Sequence, residues 1–279
     1  MKRITLLIAT TILMSGAALC QQSRKAGLFT IGAEYRHEFV LDGYVRVREW
    51  DLVGDKMTLK DLGMRSYPAL QLHGTKHLSN GRSLSLFYDH YFMTGRSTFN
   101  RNIVYNGTII NGRKGIDVSP TRYFRISAMY NAPLLIRRDF DVQYTIGFVF
   151  DHITFYLDGE VDPSSKKTEV LEGFGRQAFP FPAAGLKGTF LLNAKQKVHW
   201  QTTGTYLPEF KSFYTEGGNV RLQYSNFQLG LEYSRTVSDF EIGIGTKMQY
   251  MHLFQESRED TNVITTLTAG PFLGVIYHF

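Results

Sequence analysis

The chain has 279 residues, of which 43% are hydrophobic and 20% charged, and its formal net charge is +6. The mild positive charge comes without a basic run or a nucleic-acid-binding motif, so we expect no nucleic-acid partner. No segment after the first twenty residues is a long uncharged apolar run, which excludes a helical membrane protein.

The amino terminus has the pattern of a secretory signal peptide. Lys2 and Arg3 form a positive region, residues 4–14 form a short apolar core, and small residues lead to Cys20. Residues 1–20 are therefore predicted to be removed, leaving residues 21–279 as one domain. The alternative is a lipoprotein whose lipidated terminus is Cys20. Because Cys20 is the single cysteine, cleavage after it leaves a mature chain without disulfides.

From residue 26 onward, apolar and polar residues alternate with the period of two that predicts β-strands. The segment from Phe140 to Asp151 shows the pattern clearly. The alternation predicts about ten strands, each long enough to cross a membrane when tilted. Their approximate spans are 26–40, 65–78, 82–96, 118–131, 138–156, 180–194, 197–209, 219–236, 240–255 and 262–279. In the eighth of these strands the apolar residues change from even to odd positions, and we predict a β-bulge at residues 225–226.

Short and long connections take turns along the chain. Short links are predicted at residues 79–81, 132–133, 194–195 and 238–239, whereas longer polar connections are predicted at 41–64, 97–117, 157–179, 210–218 and 256–261. Such asymmetry is typical of outer-membrane barrels, which have short periplasmic turns and longer extracellular loops. We therefore predict an all-β fold, a transmembrane antiparallel up-and-down β-barrel in the bacterial outer membrane, with both termini on the periplasmic side.

The carboxyl end and the aromatic content favour the same fold. Leu273, Val275, Tyr277 and Phe279 alternate to a terminal aromatic residue. This resembles the closing-strand signal of bacterial outer-membrane barrels, which implies that the assembly machinery recognises the strand ending in Phe279. Aromatic residues make up 14% of the chain, as the girdles at the two membrane interfaces require.

Assigning the apolar set of each strand to lipid leaves charges of both signs in the lumen. The predicted lumen charge network is Glu34, Arg36, Asp89, Arg125, Asp151, Lys187, Arg221, Glu232 and Lys247. In a barrel this narrow, side chains can fill the interior, and buried charges are tolerated when they are paired. The arrangement predicts a salt-bridged plug, and a water-filled path for small solutes is the alternative.

Four histidines share the lipid-facing parity near the expected outer interface: His37, His90, His152 and His252. The simplest interpretation is an interfacial girdle of amphipathic side chains in contact with outer-membrane lipid and lipopolysaccharide. The alternative is catalysis on lipid A, because His152 with Thr154 is similar to the lipid-facing histidine and hydroxyl of some outer-membrane deacylases. No metal-ligand spacing, phosphate-binding loop or nucleophile elbow is present, and we predict no catalytic residue, metal or cofactor.

Two patches resemble a widespread group of uncharacterised bacterial outer-membrane β-barrel proteins. They are GDKMTLKDLG at residues 54–63 and NIVYNGTIINGRKG at residues 102–115. The resemblance implies the location and the fold but no activity. Three functions follow from the sequence: a structural or surface-binding barrel with a largely filled lumen, a narrow channel for small solutes, and a lipid A-modifying enzyme.

Overall fold

The computed structural model describes residues 28–49, 52–166, 174–177, 180–211, 221–257 and 260–279, without the side chains of residues 119–122, 174–177 and 210–211. The predicted signal peptide at residues 1–20 and the alternative role of Cys20 lie outside this part of the chain. The strands in order are β1 (Phe29–Glu49), β2 (Met57–Thr58), β3 (Ser66–His77), β4 (Ser83–Ser97), β5 (Ile103–Tyr105), β6 (Thr108–Ile110), β7 (Ile116–Ile136), β8 (Phe140–Phe155), β9 (Leu157–Gly159), β10 (Phe174–Gln177), β11 (Phe181–Leu191), β12 (Gln196–Lys211), β13 (Arg221–Val237), β14 (Phe240–Glu256) and β15 (Asp260–His278).

Ten of these strands form a closed antiparallel barrel in the order β1, β3, β4, β7, β8, β11, β12, β13, β14 and β15, with β15 pairing back to β1. Short strands extend it at the end with the long loops: β2 pairs with β1, β9 with β7 and β10 with β8, while β5 and β6 form a separate hairpin. Among the residues that the structure describes, no helix is long and apolar enough to cross a membrane.

The strands are strongly staggered around the barrel. A row of paired residues that leaves β1 at Phe29 passes through every barrel strand and returns to β1 at Asp42, thirteen positions later. One of these positions belongs to a β-bulge between Val40 and Asp42. Such a stagger over ten strands corresponds to a tilt of roughly 40°, the usual value for closed barrels.

The outer face carries a band of exposed apolar side chains. On β1 the band runs from Phe29 to Leu41, and both are more than a third exposed. At about 3.3 Å per residue and a tilt near 40°, this segment rises roughly 30 Å, the thickness of a bilayer hydrocarbon core. Aromatic rings of Phe240, Tyr277 and Phe279 cluster at the short-turn end, with centroids 5.0 and 4.7 Å apart. The outer surface therefore has the pattern of a membrane-spanning barrel.

The structure confirms the predicted fold class and the strand count, with three local differences. β1 continues to Glu49, nine residues beyond its predicted end, because the bulge at Val40 turns Val45 and Val47 into the interior. β7 also continues through Pro133 with a register shift, so the short turn is at residues 137–139 and the prediction at 132–133 is wrong.

The predicted bulge at residues 225–226 is also wrong. β13 pairs with β14 in unbroken register from Arg221 to Val237, and Tyr224 points inward with its side chain fully buried. The apolar parity changes there because the inside of the barrel becomes apolar near the long loops.

Candidate functional site

An ion-pair network crosses the middle of the lumen. The Arg36 guanidinium donates to Asp89 at 2.6 Å and lies 3.5 Å from Glu34 and 3.3 Å from Glu38. Gln71 also donates to Asp89, at 2.8 Å. Alternation along β1 points Arg36 inward, where its side chain is only 2% exposed. A charge so deeply buried is stable only with such partners.

A second ion pair lies beside the first on β7 and β8. Arg125 binds Asp151 through two nitrogens at 2.8 and 3.0 Å and donates to the Tyr123 hydroxyl at 3.0 Å. The Tyr224 hydroxyl donates to the same aspartate from the other side of the lumen. Two-nitrogen contact and additional hydrogen bonds are the features that make a buried ion pair favourable.

Tyrosine side chains fill the space between the two ion pairs. The rings of Tyr91 and Tyr123 stack with centroids 4.2 Å apart, and Gln249 accepts from Tyr91 at 2.8 Å and donates to Tyr123 at 3.0 Å. We call the following set the mid-lumen layer: Arg36, Gln71, Asp89, Tyr91, Tyr123, Arg125, Asp151, Tyr224 and Gln249. Its members are all less than 9% exposed, so within the described residues the layer closes the bore.

The lumen on the long-loop side of this layer contains an apolar core. Val45, Val47 and Ile153 reach it from the strands, and Leu59 and Leu62 reach it from the connection that follows β2. The β5–β6 hairpin adds Ile103, Tyr105 and Ile110, all fully buried. We call this cluster the upper core. It seals the barrel a second time, by burial of apolar surface.

The lumen on the short-turn side is an open cavity of about 380 Å³, which we call the lower cavity. It reaches the rim at His77 and His278 and ends against Asp89 and Arg125 of the mid-lumen layer. Several inward positions in this half are glycine. Gly32 and Gly243 leave room for the side chains of His73 and Glu232, which a Cβ atom would displace. These side chains occupy the space over the glycines and form part of the cavity wall.

Ion pairs also occur on the wall of the lower cavity. Lys247 binds Glu34 at 2.6 Å, and Lys197 binds Glu241 at 2.6 Å. His199 lies 3.0 Å from Glu241 through the same nitrogen that contacts the Ser234 hydroxyl. A catalytic triad would require the serine and the carboxylate on different nitrogens of the imidazole, so this cluster does not have the geometry of a triad.

The structure separates the nine charges of the predicted lumen network into three groups. Six of them form three ion pairs: Arg36 with Asp89, Arg125 with Asp151, and Lys247 with Glu34. Lys187 and Glu232 line the lower cavity, and neither has an ion pair among the described residues. The prediction that Arg221 lies in the lumen is wrong, because its side chain shares the parity of exposed Phe227 and binds Glu209 and Glu256 on the outer face.

The four histidines of the predicted outer girdle all point out of the barrel, among aromatic and hydroxyl side chains. His90 and His152 flank Phe124 in one hydrogen-bonded row, with ring centroids of Phe124 and His152 4.9 Å apart. His37 contacts Phe39 edge to face at 5.1 Å. His252 bonds the Thr265 hydroxyl at 2.8 Å. They are spread over four strands.

The pair that the deacylase alternative requires, His152 and Thr154, is hydrogen-bonded at 3.1 Å. The Thr154 residue is only 6% exposed, so its hydroxyl is not presented to lipid. Among the described residues, no three His, Cys, Asp or Glu side chains are grouped as metal binding requires.

Sequence reasoning missed the tyrosines of the mid-lumen layer, because aromatic residues were assigned to lipid. The alternation of inward and outward positions along each strand could have identified them. Tyr91 is two residues after Asp89, and Tyr123 is two residues before Arg125, so each must share the inner face with its charged neighbour.

Polar contacts centred on Asp55 connect the long loops to one another, and we call them the Asp55 cluster. The Asp55 carboxylate accepts from the Val104 amide at 2.6 Å and binds Arg101 at 2.9 and 3.1 Å. Asn102 donates to Asp162 at 2.6 Å in the next loop. Burial alone would raise the pKa of Asp55, but the hydrogen bonds from Arg101 and Val104 and the charge of Arg101 outweigh it and hold the pKa below its ordinary value.

Comparison with known proteins shows the fold. No protein-family model matches the chain, and no curated protein is similar to it in sequence. Among solved structures, it is similar to the outer membrane protease OmpT from Escherichia coli, with a TM-score of 0.51, 9% identity and coverage of 92% of this chain and 99% of that one. The translocator domain of the autotransporter NalP from Neisseria meningitidis gives a TM-score of 0.45, 10% identity and coverage of 100% and 97%. Neisserial surface protein A gives a TM-score of 0.35 and 7% identity, with coverage of 92% of this chain and 100% of that one. The likeness to OmpT is one of fold, a closed antiparallel β-barrel.

Removing one partner of the Arg125–Asp151 pair should destabilise the barrel strongly. In Arg125→Ala the Asp151 carboxylate stays buried without its cation, and we expect a loss of about 3–5 kcal/mol in the free energy of unfolding. Denaturant unfolding in detergent micelles measures it. Arg221→Ala removes an arginine with two ion pairs on the outer face and should change stability much less. Equal effects of the two substitutions would contradict a buried, structural role for Arg125.

The Asp55 cluster should depend on pH with a definite sign. Because the pKa of Asp55 is lowered in the folded protein, its stabilising effect is complete above the unfolded pKa of about 4 and is lost as pH falls through the lowered value. Asp55→Asn should therefore speed hydrogen exchange of the Val104 amide at pH 7, and the difference from the unsubstituted protein should shrink toward pH 3. If the difference in the exchange rate of the Val104 amide grew as pH fell, the pKa of Asp55 would not be lowered in the folded protein.

Proposed function

We propose that this protein is a non-conducting barrel of the bacterial outer membrane that holds a rigid platform of loops at the cell surface. The observation that carries the proposal is the double closure of the lumen by the mid-lumen layer and the upper core. A channel needs a continuous hydrated path, and here tightly paired charges are followed by a dry apolar cluster. The geometry therefore favours a structural or surface-binding role over the channel.

The loops support the platform. Connections of this length are commonly mobile, but the described connections that follow β1 and β4 pack into the barrel and onto one another. The hairpin of β5 and β6 buries Ile103 and Tyr105, and the Tyr105 hydroxyl donates to the Phe155 carbonyl at 2.7 Å. The Asp55 cluster then holds the connection between β1 and β3 against this hairpin. A preorganised surface loses little conformational entropy when it binds a partner.

The apolar band, the OmpT-like fold and the asymmetric connections support location in the outer membrane, with the short turns and both chain ends in the periplasm. Phe279 is 60% exposed at the short-turn end, where an assembly machinery could recognise the closing strand. The outward histidines and their aromatic neighbours are suited to the interface with outer-membrane lipid and lipopolysaccharide.

Solute leakage tests the proposal. Liposomes that contain the purified protein should retain solutes of graded size as well as protein-free liposomes do, because the lumen is blocked at two depths. Arg36→Ala combined with Asp89→Ala opens the mid-lumen layer but leaves the upper core, so these liposomes should also stay sealed. Size-dependent leakage through the unsubstituted protein would overturn the proposal and favour the channel.

A further inference from the structure

The lower cavity has features that a filled structural barrel does not need. Its volume of about 380 Å³ lies within the range of small-molecule sites, and it opens at the short-turn end. A barrel of ten strands can be packed with side chains, as the mid-lumen layer and the upper core demonstrate. In this half, glycines on the inner face make room for neighbouring side chains at the wall, and an open cavity remains beside them.

One wall of the cavity is apolar. Met129, Val149 and Ala183 lie side by side on β7, β8 and β11, and half-buried Phe87 packs against them from β4. All four line the cavity, whose other walls are mainly hydroxyl, amide and charged side chains. Apolar side chains on the inner face of a barrel do not contact lipid, so the membrane does not explain their presence. A continuous apolar wall in a hydrated cavity is suited to the apolar part of a ligand.

Unpartnered polar atoms surround the same space. Arg125 Nη1, Asn226 Nδ2, His73 Nδ1 and Gln143 Oε1 are buried without a hydrogen-bond partner, and all four residues line the cavity. Two of these atoms, on Arg125 and Asn226, are donors. An unsatisfied buried donor costs free energy, so the wall of the cavity contains polar groups that the protein itself does not satisfy.

Lys187 is a cation of the cavity without an ion-pair partner among the described residues. Lys247, Lys197 and Arg125 of the cavity each have a carboxylate partner, whereas among the described residues Lys187 has neither an ion pair nor a hydrogen bond. Asp141 is two positions along β8 from Gln143, the residue opposite Lys187, and forms no ion pair with Lys187.

Two acids of the cavity have no ion pair among the described residues: Asp141, at the rim, and Glu232. Glu232 is on β13, opposite His199 of β12 in the strand register, and its carboxylate lies over Gly243 of β14. Among the described residues, Lys187 is therefore the one lysine or arginine of the cavity that has no ion-pair partner, and a bound carboxylate would supply one.

We propose that the lower cavity binds a small carboxylate with an apolar body. The body lies on the wall formed by Phe87, Met129 and Val149, and the carboxylate accepts from Lys187. The binding itself does not depend on the proposed function. Only the side from which the ligand enters, the periplasm, rests on the orientation given under the proposed function.

Titration calorimetry with phenylacetate tests the inference on the purified full chain in detergent, with empty micelles as the blank. We expect saturable binding by the unsubstituted protein. Lys187→Met removes the charged donor and should weaken binding about 10- to 100-fold, since hydrogen bonds to charged groups contribute about 1.5–3 kcal/mol. Lys195→Met, in the exposed turn between β11 and β12, should bind as the unsubstituted protein does.

Two further measurements separate the charge from the apolar wall. Phenethylamine has the same ring with a positive charge and should not bind. Phe87→Ala should weaken phenylacetate binding while leaving the weak binding of acetate unchanged. Folding of each variant is checked by a shift in electrophoretic mobility on boiling. Absence of saturable binding, equal binding by Lys187→Met, or equal binding of phenethylamine would each overturn the inference. Leaky liposomes alone would not overturn it.

Discussion

Backbone N–H and C=O groups in hydrocarbon have no water to bond, so a sheet that crosses a membrane has to close on itself. In this protein the closure is the pairing of β1 with β15, which extends from Thr30 to Glu49 with a single bulge. The other features of the barrel depend on it. Closure fixes the strand number and the stagger, these fix the width, and the width leaves an interior that side chains can fill or leave open.

The interior is divided along the barrel axis according to what each depth can stabilise. In the middle, charges lie far from water, and they are tolerated because Arg36 and Arg125 each meet an aspartate and several hydrogen-bonding groups. Above the outer apolar band the pattern becomes that of a soluble protein, with apolar residues such as Val47 inside and Arg48 outside. Below the middle layer, glycine and small polar residues leave a hydrated space.

The periodic features of this architecture could be predicted from the sequence, because alternation and turn residues are local properties. The strand spans and the turns at Asn80 and Ser238 follow from them, and both residues have the positive φ that such turns require. The bulge at Val40 could not be predicted, since it depends on how β1 pairs with β15.

The charges of the candidate site could be assigned to the lumen by parity, but their pairing could not be predicted. Whether Arg125 meets Asp151 or Asp89 depends on the register between strands, which the sequence does not state. The same limit explains Arg221, whose parity was judged from a bulge that does not exist. The apolar upper core was missed because alternation alone does not tell a lipid-facing side chain from one that faces a dry interior.

Thiol reactivity is the most direct test of the divided lumen. Ser127→Cys places a thiol in the lower cavity, and Met93→Cys places one in the upper core. Each variant is treated in detergent with a small charged thiol reagent, and the unsubstituted protein is the blank. The division predicts rapid labelling at position 127 and very slow labelling at position 93. Equally rapid labelling at both positions would show that the upper core admits water and would contradict a lumen that is closed at two depths.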